Sequence, residues 1–108
     1  LIRAREYIEQ NAGDAELSLN AVAAHVSVSP SHFSAIFSRE TGETFKEYLT
    51  RIRMERAQGL LRSTSLPIVE IAQISGYSDP HYFSAAFKRV TGVPPREYRE
   101  ARAPTPGG

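Results

Sequence analysis

The chain has 108 residues, a net charge of +1 and no cysteine, and 41% of its residues are hydrophobic. This composition is typical of a globular protein, and it excludes disulfide bonds and thiolate metal sites. No apolar run approaches the ~20 residues of a membrane span, and there is no secretory signal. The length allows one domain or two very small ones and implies no large catalytic cleft.

Charge is unevenly distributed along the chain. Residues 1–50 hold four basic and seven acidic residues, a net −3, whereas residues 51–108 hold nine basic and five acidic residues, a net +4. A local basic face can bind phosphate even when the total charge is near zero. The asymmetry alone favours a nucleic-acid partner only weakly, because ordinary variation also produces it.

The N-terminal part of the chain predicts three helices. The first covers residues 2 to about 10 and ends before Gly13. The second is amphipathic, because apolar residues recur at spacings of three and four over residues 19–26, and Ser18 can cap its start. The third begins at Ser29-Pro30, since serine is a natural N-cap and proline suits the first helical position. It ends at Gly42, and its predicted core residues are Phe33, Ile36 and Phe37.

A longer linker helix is predicted next. Thr44 and Glu47 have the spacing of a capping box at its start. It is predicted to run to about Arg62, and eighteen residues span roughly 27 Å. Its predicted buried stripe, apolar except at Arg56, consists of Phe45, Tyr48, Leu49, Ile52, Arg56, Leu60 and Leu61.

The remaining helices follow the same plan as the second and third. A helix with a buried stripe leads to a turn at Gly76-Tyr77, and Asp79-Pro80 starts another helix, which ends at Gly92. A last helix covers residues 95 to about 102. The predicted buried residues of these helices are Ile68, Ile71, Ala72, Ser75, Phe83, Ala86 and Phe87.

One segment of the sequence is used twice. Residues 30–42 match residues 80–92 at a shift of fifty, with identity at Pro30, Phe33, Ser34, Ala35, Phe37, Arg39, Thr41 and Gly42. Upstream the match continues at a shift of forty-nine, so the second copy has one extra residue near its Gly76-Tyr77 turn. Turns tolerate such length changes better than helices do.

The repeat predicts an all-α fold of about seven helices with two helix-turn-helix subdomains. We expect the first subdomain at residues 1–43, the linker helix at 44–62, the second subdomain at 63–102 and a flexible tail at 103–108. Because the chain starts at Leu1 rather than Met, we also expect it to be part of a longer protein.

The outward faces of the two repeated helices point to DNA. In a helix-turn-helix the second helix enters the major groove, and the ~27 Å linker is close to the ~34 Å between successive major grooves. Both helices are therefore predicted to enter adjacent segments of one duplex. Their outward residues carry hydroxyls, imidazoles, a phenol and cations, which suit phosphates and base edges. For Arg39 and Arg89 a second explanation is open, since a late arginine also complements the helix dipole.

The second copy resembles a known family. The segment from Ile71 to Arg99, with its Gly76-Tyr77 and Asp79-Pro80 pairs in order, is similar to the characteristic motif of the AraC/XylS transcription regulators. Residues 53–64 resemble the connecting helix of that family, and the similarity covers about residues 2–102. The resemblance implies a bacterial, cytoplasmic, nucleoid-associated regulator, more often an activator than a repressor. It also implies an N-terminal sensing and dimerisation domain outside this chain.

The resemblance assigns roles to the outward residues. Base-reading positions fall on Ser31, Ser34, Ala35, His81, Ser84 and Ala85. Phosphate contacts fall on His32, Ser38, Tyr82 and Lys88, to which the outward Arg39 and Arg89 are added. Many members have a long polar residue where this chain has Ala35 and Ala85, and alanine can at most pack on a thymine methyl. We therefore expect the serines, His81 or DNA shape to carry specificity. Because the copies differ on this face, we expect an asymmetric target, with the second unit contributing more phosphate affinity.

Two other classes of function are alternatives. A helical protein-interaction module without DNA contact would show a large exposed apolar patch. In an activator of the kind that the resemblance implies, an outer surface of the domain is also expected to contact RNA polymerase. An enzyme is not expected, because triad members are brought together by the fold rather than by adjacency, and Asp79 is explained as a helix cap. No metal or cofactor is expected, since His25, His32 and His81 lack ligand partners at metal spacing.

Overall fold

A computed structural model describes residues 1–102 and shows seven α-helices and no strand in that range. The helices are α1 (Ile2–Asn11), α2 (Leu19–His25), α3 (Pro30–Thr41), α4 (Phe45–Ser63), α5 (Ile68–Ile74), α6 (Pro80–Thr91) and α7 (Pro95–Arg102). The all-α prediction and the seven predicted helices are confirmed to within one or two residues. The tail predicted at 103–108 lies outside the described residues.

Side-chain caps account for where α2, α3, α4 and α6 begin. The hydroxyl of Ser18 accepts a hydrogen bond from the Ala21 N–H at 3.1 Å. Ser29 accepts from the backbone of α3, and Asp79 from the backbone of α6. At α4 the capping box is complete, because the Glu47 N–H donates to Thr44 Oγ1 at 3.1 Å and the Thr44 N–H donates to Glu47 Oε1 at 2.9 Å. Each cap satisfies N–H groups that have no partner within the helix.

The chain has two separate hydrophobic cores. The first is formed by α1, α2, α3 and the start of α4, and its buried residues are Ala4, Ile8, Ala12, Val22, Ala23, Phe33, Phe37, Tyr48 and Leu49. The second is formed by the rest of α4 with α5, α6 and α7, and its buried residues are Met54, Ala57, Leu61, Ile71, Ala72, Tyr77, Phe83, Ala86, Phe87 and Tyr98. The two cores share no side chain. Packing therefore divides the described chain at the middle of α4.

Helix α4 buries a different face in each core. Tyr48 and Leu49 pack in the first core, whereas Met54, Ala57 and Leu61 pack in the second. At 100° per residue the centres of the two faces lie roughly 150° apart. A single stripe running the length of the linker helix was therefore a wrong prediction, and it omitted the fully buried Met54 and Ala57.

The repeat explains this change of face. Helix α4 is the last helix of the first copy, as α7 is of the second. Tyr48 of α4 meets Phe37 edge to face at 5.1 Å, and Tyr98 of α7 meets Phe87 in the same way at 5.4 Å. It also begins the second copy as α1 begins the first, because α4 contacts α5 as α1 contacts α2. One helix thus serves as the last helix of one unit and the first helix of the next.

The extra residue of the second copy is Ser78. The Val28 N–H donates to the Ala23 carbonyl, and the Tyr77 N–H donates to the Ala72 carbonyl, so the two turns have the same register up to that point. The next helix then starts after one residue in the first copy and after two in the second. The prediction that the insertion lies in the turn is confirmed.

One predicted core residue lies elsewhere. Ile36 is only half-buried, and it lines an open apolar cleft between α3 and the start of α1 with Leu1, Ile2 and Val28. The prediction that Ile36 packs in the core was wrong. Its position on α3 is turned away from the buried Phe33 and Phe37 toward the edge of the bundle.

The two cores in tandem make an elongated molecule. Its extents are 55 × 24 × 21 Å, and its radius of gyration is 15.7 Å. A compact domain of this length would have a radius of gyration of about 13 Å. Within residues 1–102 none of the helices has both the length and the apolar character needed to cross a bilayer.

Ser75 offers a test of the second core. The side chain is fully buried, and Oγ has no hydrogen-bond partner among the described residues. The equivalent position of the first copy is Val26. We expect Ser75→Ala to raise the free energy of unfolding by about 1 kcal/mol, because it removes an unsatisfied polar group. The same substitution at the capping Ser18 should lower it by about 1 kcal/mol. Urea unfolding followed by circular dichroism measures both, and a loss of stability in Ser75→Ala would contradict the first expectation.

Glu47 offers a pH test of the linker helix. Hydrogen bonds from the Thr44 backbone and side chain lower the pKa of Glu47 below its ordinary value of 4.5. A carboxylate with a lowered folded-state pKa contributes stability above pH 4.5, and that contribution is lost as the pH falls through the folded-state pKa. We expect the melting temperature of wild type to exceed that of Glu47→Gln by less at about pH 3 than at about pH 6. A difference that is constant over this range would contradict the assignment.

Candidate nucleic-acid interface

Helices α3 and α6 present the predicted contact residues to solvent. Each helix buries two phenylalanines, Phe33 and Phe37 on α3 and Phe83 and Phe87 on α6, which turns the opposite face outward. Two of the twelve predicted residues, Ser38 and Ser84, are half-buried. The other ten are exposed: Ser31, His32, Ser34, Ala35, Arg39, His81, Tyr82, Ala85, Lys88 and Arg89. The fold therefore brings the predicted residues onto two outer faces, which we call the reading faces.

The start of each reading face is held by a cap. Ser29 Oγ accepts from the His32 N–H at 3.3 Å, and Asp79 Oδ1 accepts from the His81 N–H at 2.9 Å. These bonds hold the first turns of α3 and α6, where the predicted base-reading side chains Ser31 and His81 lie. The Asp79 carboxylate is thus engaged with the helix backbone, which accounts for its closeness to Ser78 and His81 without a catalytic role.

Tyr82 joins the reading face to the second core. Its side chain is 53% exposed, yet its ring centroid lies 5.9 Å from that of the buried Tyr77. Tyr77 in turn packs against Phe83 at 5.5 Å. A tyrosine held in this way presents its phenol with little loss of side-chain entropy on binding.

Three exposed cations lie late in the reading helices. Arg39 is in the last turn of α3, and Lys88 and Arg89 are in the last turn of α6. The Arg39 guanidinium comes only within 4.0 Å of Glu40, and both side chains are largely exposed. Exposed pairs of this kind contribute little. All three cations can therefore turn to a phosphate at small cost.

Most of the other arginines after residue 50 bond to the protein itself. Arg62 donates to the Tyr98 hydroxyl at 2.7 Å, and Arg99 donates to the carbonyls of Leu61 and Thr64. Arg51 and Arg96 pair with glutamates on the surface. Part of the positive charge after residue 50, above all at Arg62 and Arg99, is thus engaged within the protein, so the excess is a weaker pointer to phosphate than the sequence indicated.

Arg53 reaches from α4 to the loop that follows α1, and Arg56 reaches from α4 to the last turn of α1. Arg53 Nε donates to the Ala12 carbonyl and Nη2 to the Asp14 carbonyl, both at 2.9 Å. Arg56 Nη2 donates to the Glu9 carbonyl at 3.1 Å. The Arg53 guanidinium carbon also lies 5.5 Å from the centre of the Tyr77 ring. Sequence reasoning missed these contacts, because nothing in the local pattern joins residues 12 and 53.

Burial shifts the pKa values of Arg53 and Tyr77 in opposite directions. Desolvation lowers the pKa of Arg53, and desolvation raises the pKa of the Tyr77 phenol. Both shifts disfavour the charged forms, as burial does.

Among the described residues there is no group of three or more histidine, cysteine or carboxylate side chains placed to hold a metal ion.

Comparison with known proteins identifies the type of domain. Residues 22–101 match the family model described as a helix-turn-helix domain. The chain is 39% identical over 90 residues to the HTH-type transcriptional activator RhaR of Cronobacter sakazakii, which covers 83% of this chain and 32% of that protein. It is 34% identical over 94 residues to the arabinose operon regulatory protein of Escherichia coli, covering 87% of this chain and 32% of that protein. The chain thus spans about a third of the length of the curated relatives it matches.

Solved structures share the whole fold. The C-terminal domain of AraT, a response regulator from Geobacillus stearothermophilus, superposes with a TM-score of 0.93 at 45% identity, covering 98% of this chain and 88% of that one. The DNA-binding domain of AdpA, a global transcriptional factor solved in complex with a target DNA, has a TM-score of 0.88 at 26% identity. That match covers 97% of this chain and 95% of the AdpA domain.

Proposed function

This chain belongs to the AraC/XylS family of DNA-binding transcription regulators, and on that premise we propose that α3 and α6 enter adjacent major-groove segments of one duplex. The observation that carries the proposal is the placement of both reading faces on the surface of one elongated body. Each face is backed by a separate core and starts at a capped helix terminus. The family consists of DNA-binding regulators rather than enzymes, and we propose no catalytic activity for this chain.

The roles that we propose for the reading-face residues come from the family resemblance, and their positions on α3 and α6 support them. We assign base contacts to the first turns and the outward middle of each helix, at Ser31, Ser34, Ala35, His81, Ser84 and Ala85. We assign phosphate contacts to His32, Ser38, Arg39, Tyr82, Lys88 and Arg89. Alanines at two base positions limit guanine readout, because they lack a hydrogen-bonding group. Most direct readout then falls on the serines and His81.

The organisation of the regulator is also proposed. Residues 1–43 and 63–102 form the two helix-turn-helix subdomains, and residues 44–62 form the linker helix. The chain is the DNA-binding part of a longer cytoplasmic, bacterial activator, associated with the nucleoid when bound. An N-terminal sensing and dimerisation domain precedes it, and an outer surface of the chain contacts RNA polymerase. The family and the activator among the relatives support these proposals.

A selection from random duplexes, followed by a salt titration, tests the function. We expect the selected site to extend over two successive major grooves, about 20 base pairs. If Arg39, Lys88 and Arg89 each neutralise one phosphate, the affinity should fall roughly 40-fold between about 50 and 200 mM salt, because each released counterion steepens the dependence. Binding that does not change with salt, or a selected site confined to one groove, would contradict the proposal.

Substitutions at Lys88 and His81 should have different effects, one on affinity for DNA in general and the other on sequence preference. We expect Lys88→Gln to weaken binding to all sequences similarly and to reduce the slope of log affinity against log salt by about 0.9. His81→Gln should instead change the order of preference among sequences and leave that slope unchanged.

The matched control for Lys88→Gln is Arg96→Gln. It removes one positive charge from α7, where Arg96 is exposed and pairs with Glu100. We expect this variant to bind with nearly wild-type affinity. Repeating the selection with each variant gives the preferences, and identical behaviour of Lys88→Gln and His81→Gln would overturn the assigned roles.

A further inference from the structure

The relative orientation of α3 and α6 depends on few contacts. The two cores share no side chain, so the units are held together by the helix α4 on which both pack and by the contacts between them. Apart from the continuity of α4 and a groove between the start of α4 and the end of α6, the hydrogen bonds and close backbone contacts described between the units gather at one place. It consists of the loop residues Ala12 to Asp14, the α4 side chains Arg53 and Arg56, and the turn from Ile74 to Tyr77. We call this place the clasp.

Arg53 is the centre of the clasp. Its two hydrogen bonds to the Ala12 and Asp14 carbonyls hold the first unit, and its guanidinium lies over the ring of Tyr77 in the second unit. A planar guanidinium can donate in two directions and stack on a ring at the same time, whereas an ammonium cannot reproduce this geometry. Arg53 thus links both units through one side chain.

Gly76 lets the two units approach. A Cβ at this position would lie only 2.6 Å from Arg53 Nε and would overlap the Ala12 carbonyl oxygen. Gly76 has a φ of 97°, beyond the 58° of the equivalent Ser27, and this backbone conformation by itself favours glycine. The close approach of the first unit is a second reason for glycine at this position.

Gly13 makes a second approach in the same clasp. A Cβ there would lie 2.9 Å from the Ile74 carbonyl oxygen and 3.1 Å from Arg56 Nη1. The backbones of the two units thus nearly touch on both sides of the arginines. Such contacts limit the rotation of one unit against the other, because there is no side chain to rearrange.

The clasp connects directly to the second reading helix. The Tyr77 ring beneath Arg53 packs against Tyr82 at 5.9 Å and against Phe83 at 5.5 Å. Both partners lie in the first turns of α6. A movement of Arg53 or of the loop against Tyr77 would therefore change the position of α6 relative to the first unit.

We propose that the clasp sets the distance and angle between α3 and α6, so that Arg53 and Gly76 determine which half-site spacing on DNA this chain accepts. This proposal rests on the proposed function, in which both helices enter one duplex. Arg53 acts as a positioning residue and makes no DNA contact itself. Each base pair added between half-sites moves the second one by about 3.4 Å and turns it by about 34°. A rigid pair of helices discriminates against such a change, and a loosely joined pair does not.

The test uses the full chain, the selected duplex, and versions of that duplex with one base pair added or removed between the half-sites. We expect wild type to bind the selected spacing at least about tenfold more tightly than the altered spacings. In Arg53→Lys we expect this preference to fall to about threefold or less, while affinity for each isolated half-site stays within about twofold of wild type.

Arg51→Lys is the matched control, since it makes the same change on the same helix. Arg51 pairs with Glu43 and Glu55 and lies 5.0 Å from the centre of the Tyr48 ring, and it makes none of the clasp contacts. We expect it to keep the wild-type spacing preference. A second pair is Gly76→Ser and Ser27→Gly, which exchange the residues of the two turns. Gly76→Ser should lose the preference and Ser27→Gly should keep it.

A measurement without DNA separates failure of the clasp from failure of the proposed function. The chain has no cysteine, so Glu40→Cys and Val90→Cys, at equivalent exposed positions of α3 and α6, are the only sites that a thiol spin label would modify. We expect a narrow distance distribution in this labelled protein and a broader one when Arg53→Lys is added.

Each outcome decides one of the two ideas. An unchanged distribution together with an unchanged spacing preference in Arg53→Lys would overturn the clasp. A broadened distribution with wild-type binding that ignores half-site spacing would support the clasp as an orienting contact and overturn the two-groove function. Circular dichroism checks whether each variant is folded. If Gly76→Ser does not fold, the conservative variant Arg53→Lys still tests the proposal.

Discussion

The structure depends on one helix, α4, that packs into two hydrophobic cores. Helix α4 packs Tyr48 and Leu49 into the first unit and, roughly 150° around its surface, Met54, Ala57 and Leu61 into the second. This double burial places the two units on different sides of a shared rod and produces the elongated shape. A helix with one apolar stripe would have merged the units into one core. The reading faces would then not lie on separate parts of the surface.

Because the cores are separate, directed contacts between the units add to α4 in orienting them. Burying hydrophobic surface is non-directional, whereas the bonds from Arg53 to the Ala12 and Asp14 carbonyls have a fixed geometry. Arg53, Arg62 and Arg99 therefore serve as connectors within the protein. Exposed cations lie at the ends of both α3 and α6, so the net charge of each half of the sequence says little about the charge of its reading face.

The repeat keeps the aromatic framework of each core and varies part of the exposed face. Edge-to-face pairs of phenylalanine and tyrosine recur in both cores, and so do the left-handed glycines that end α3 and α6. On the outer faces Ser31 becomes His81 and Ser38 becomes Lys88, and in the clasp Ser27 becomes Gly76. One scaffold thus carries two different surfaces. In the first copy the turn at Ser27 only connects two helices, whereas in the second copy the equivalent turn at Gly76 also contacts the other unit.

The sequence by itself determined the helices and the outward residues, because caps, left-handed glycines and helical spacing act within a few residues of one another. It also indicated the repeat and the place of its insertion. Only the tertiary structure decided how α4 divides its faces, that Ile36 leaves the core, and that Arg53 and Gly76 join the two units. These features arise from contacts between residues as far apart as 12 and 53. Their physical cause is the close approach of two separately folded units, which no local pattern of residues encodes.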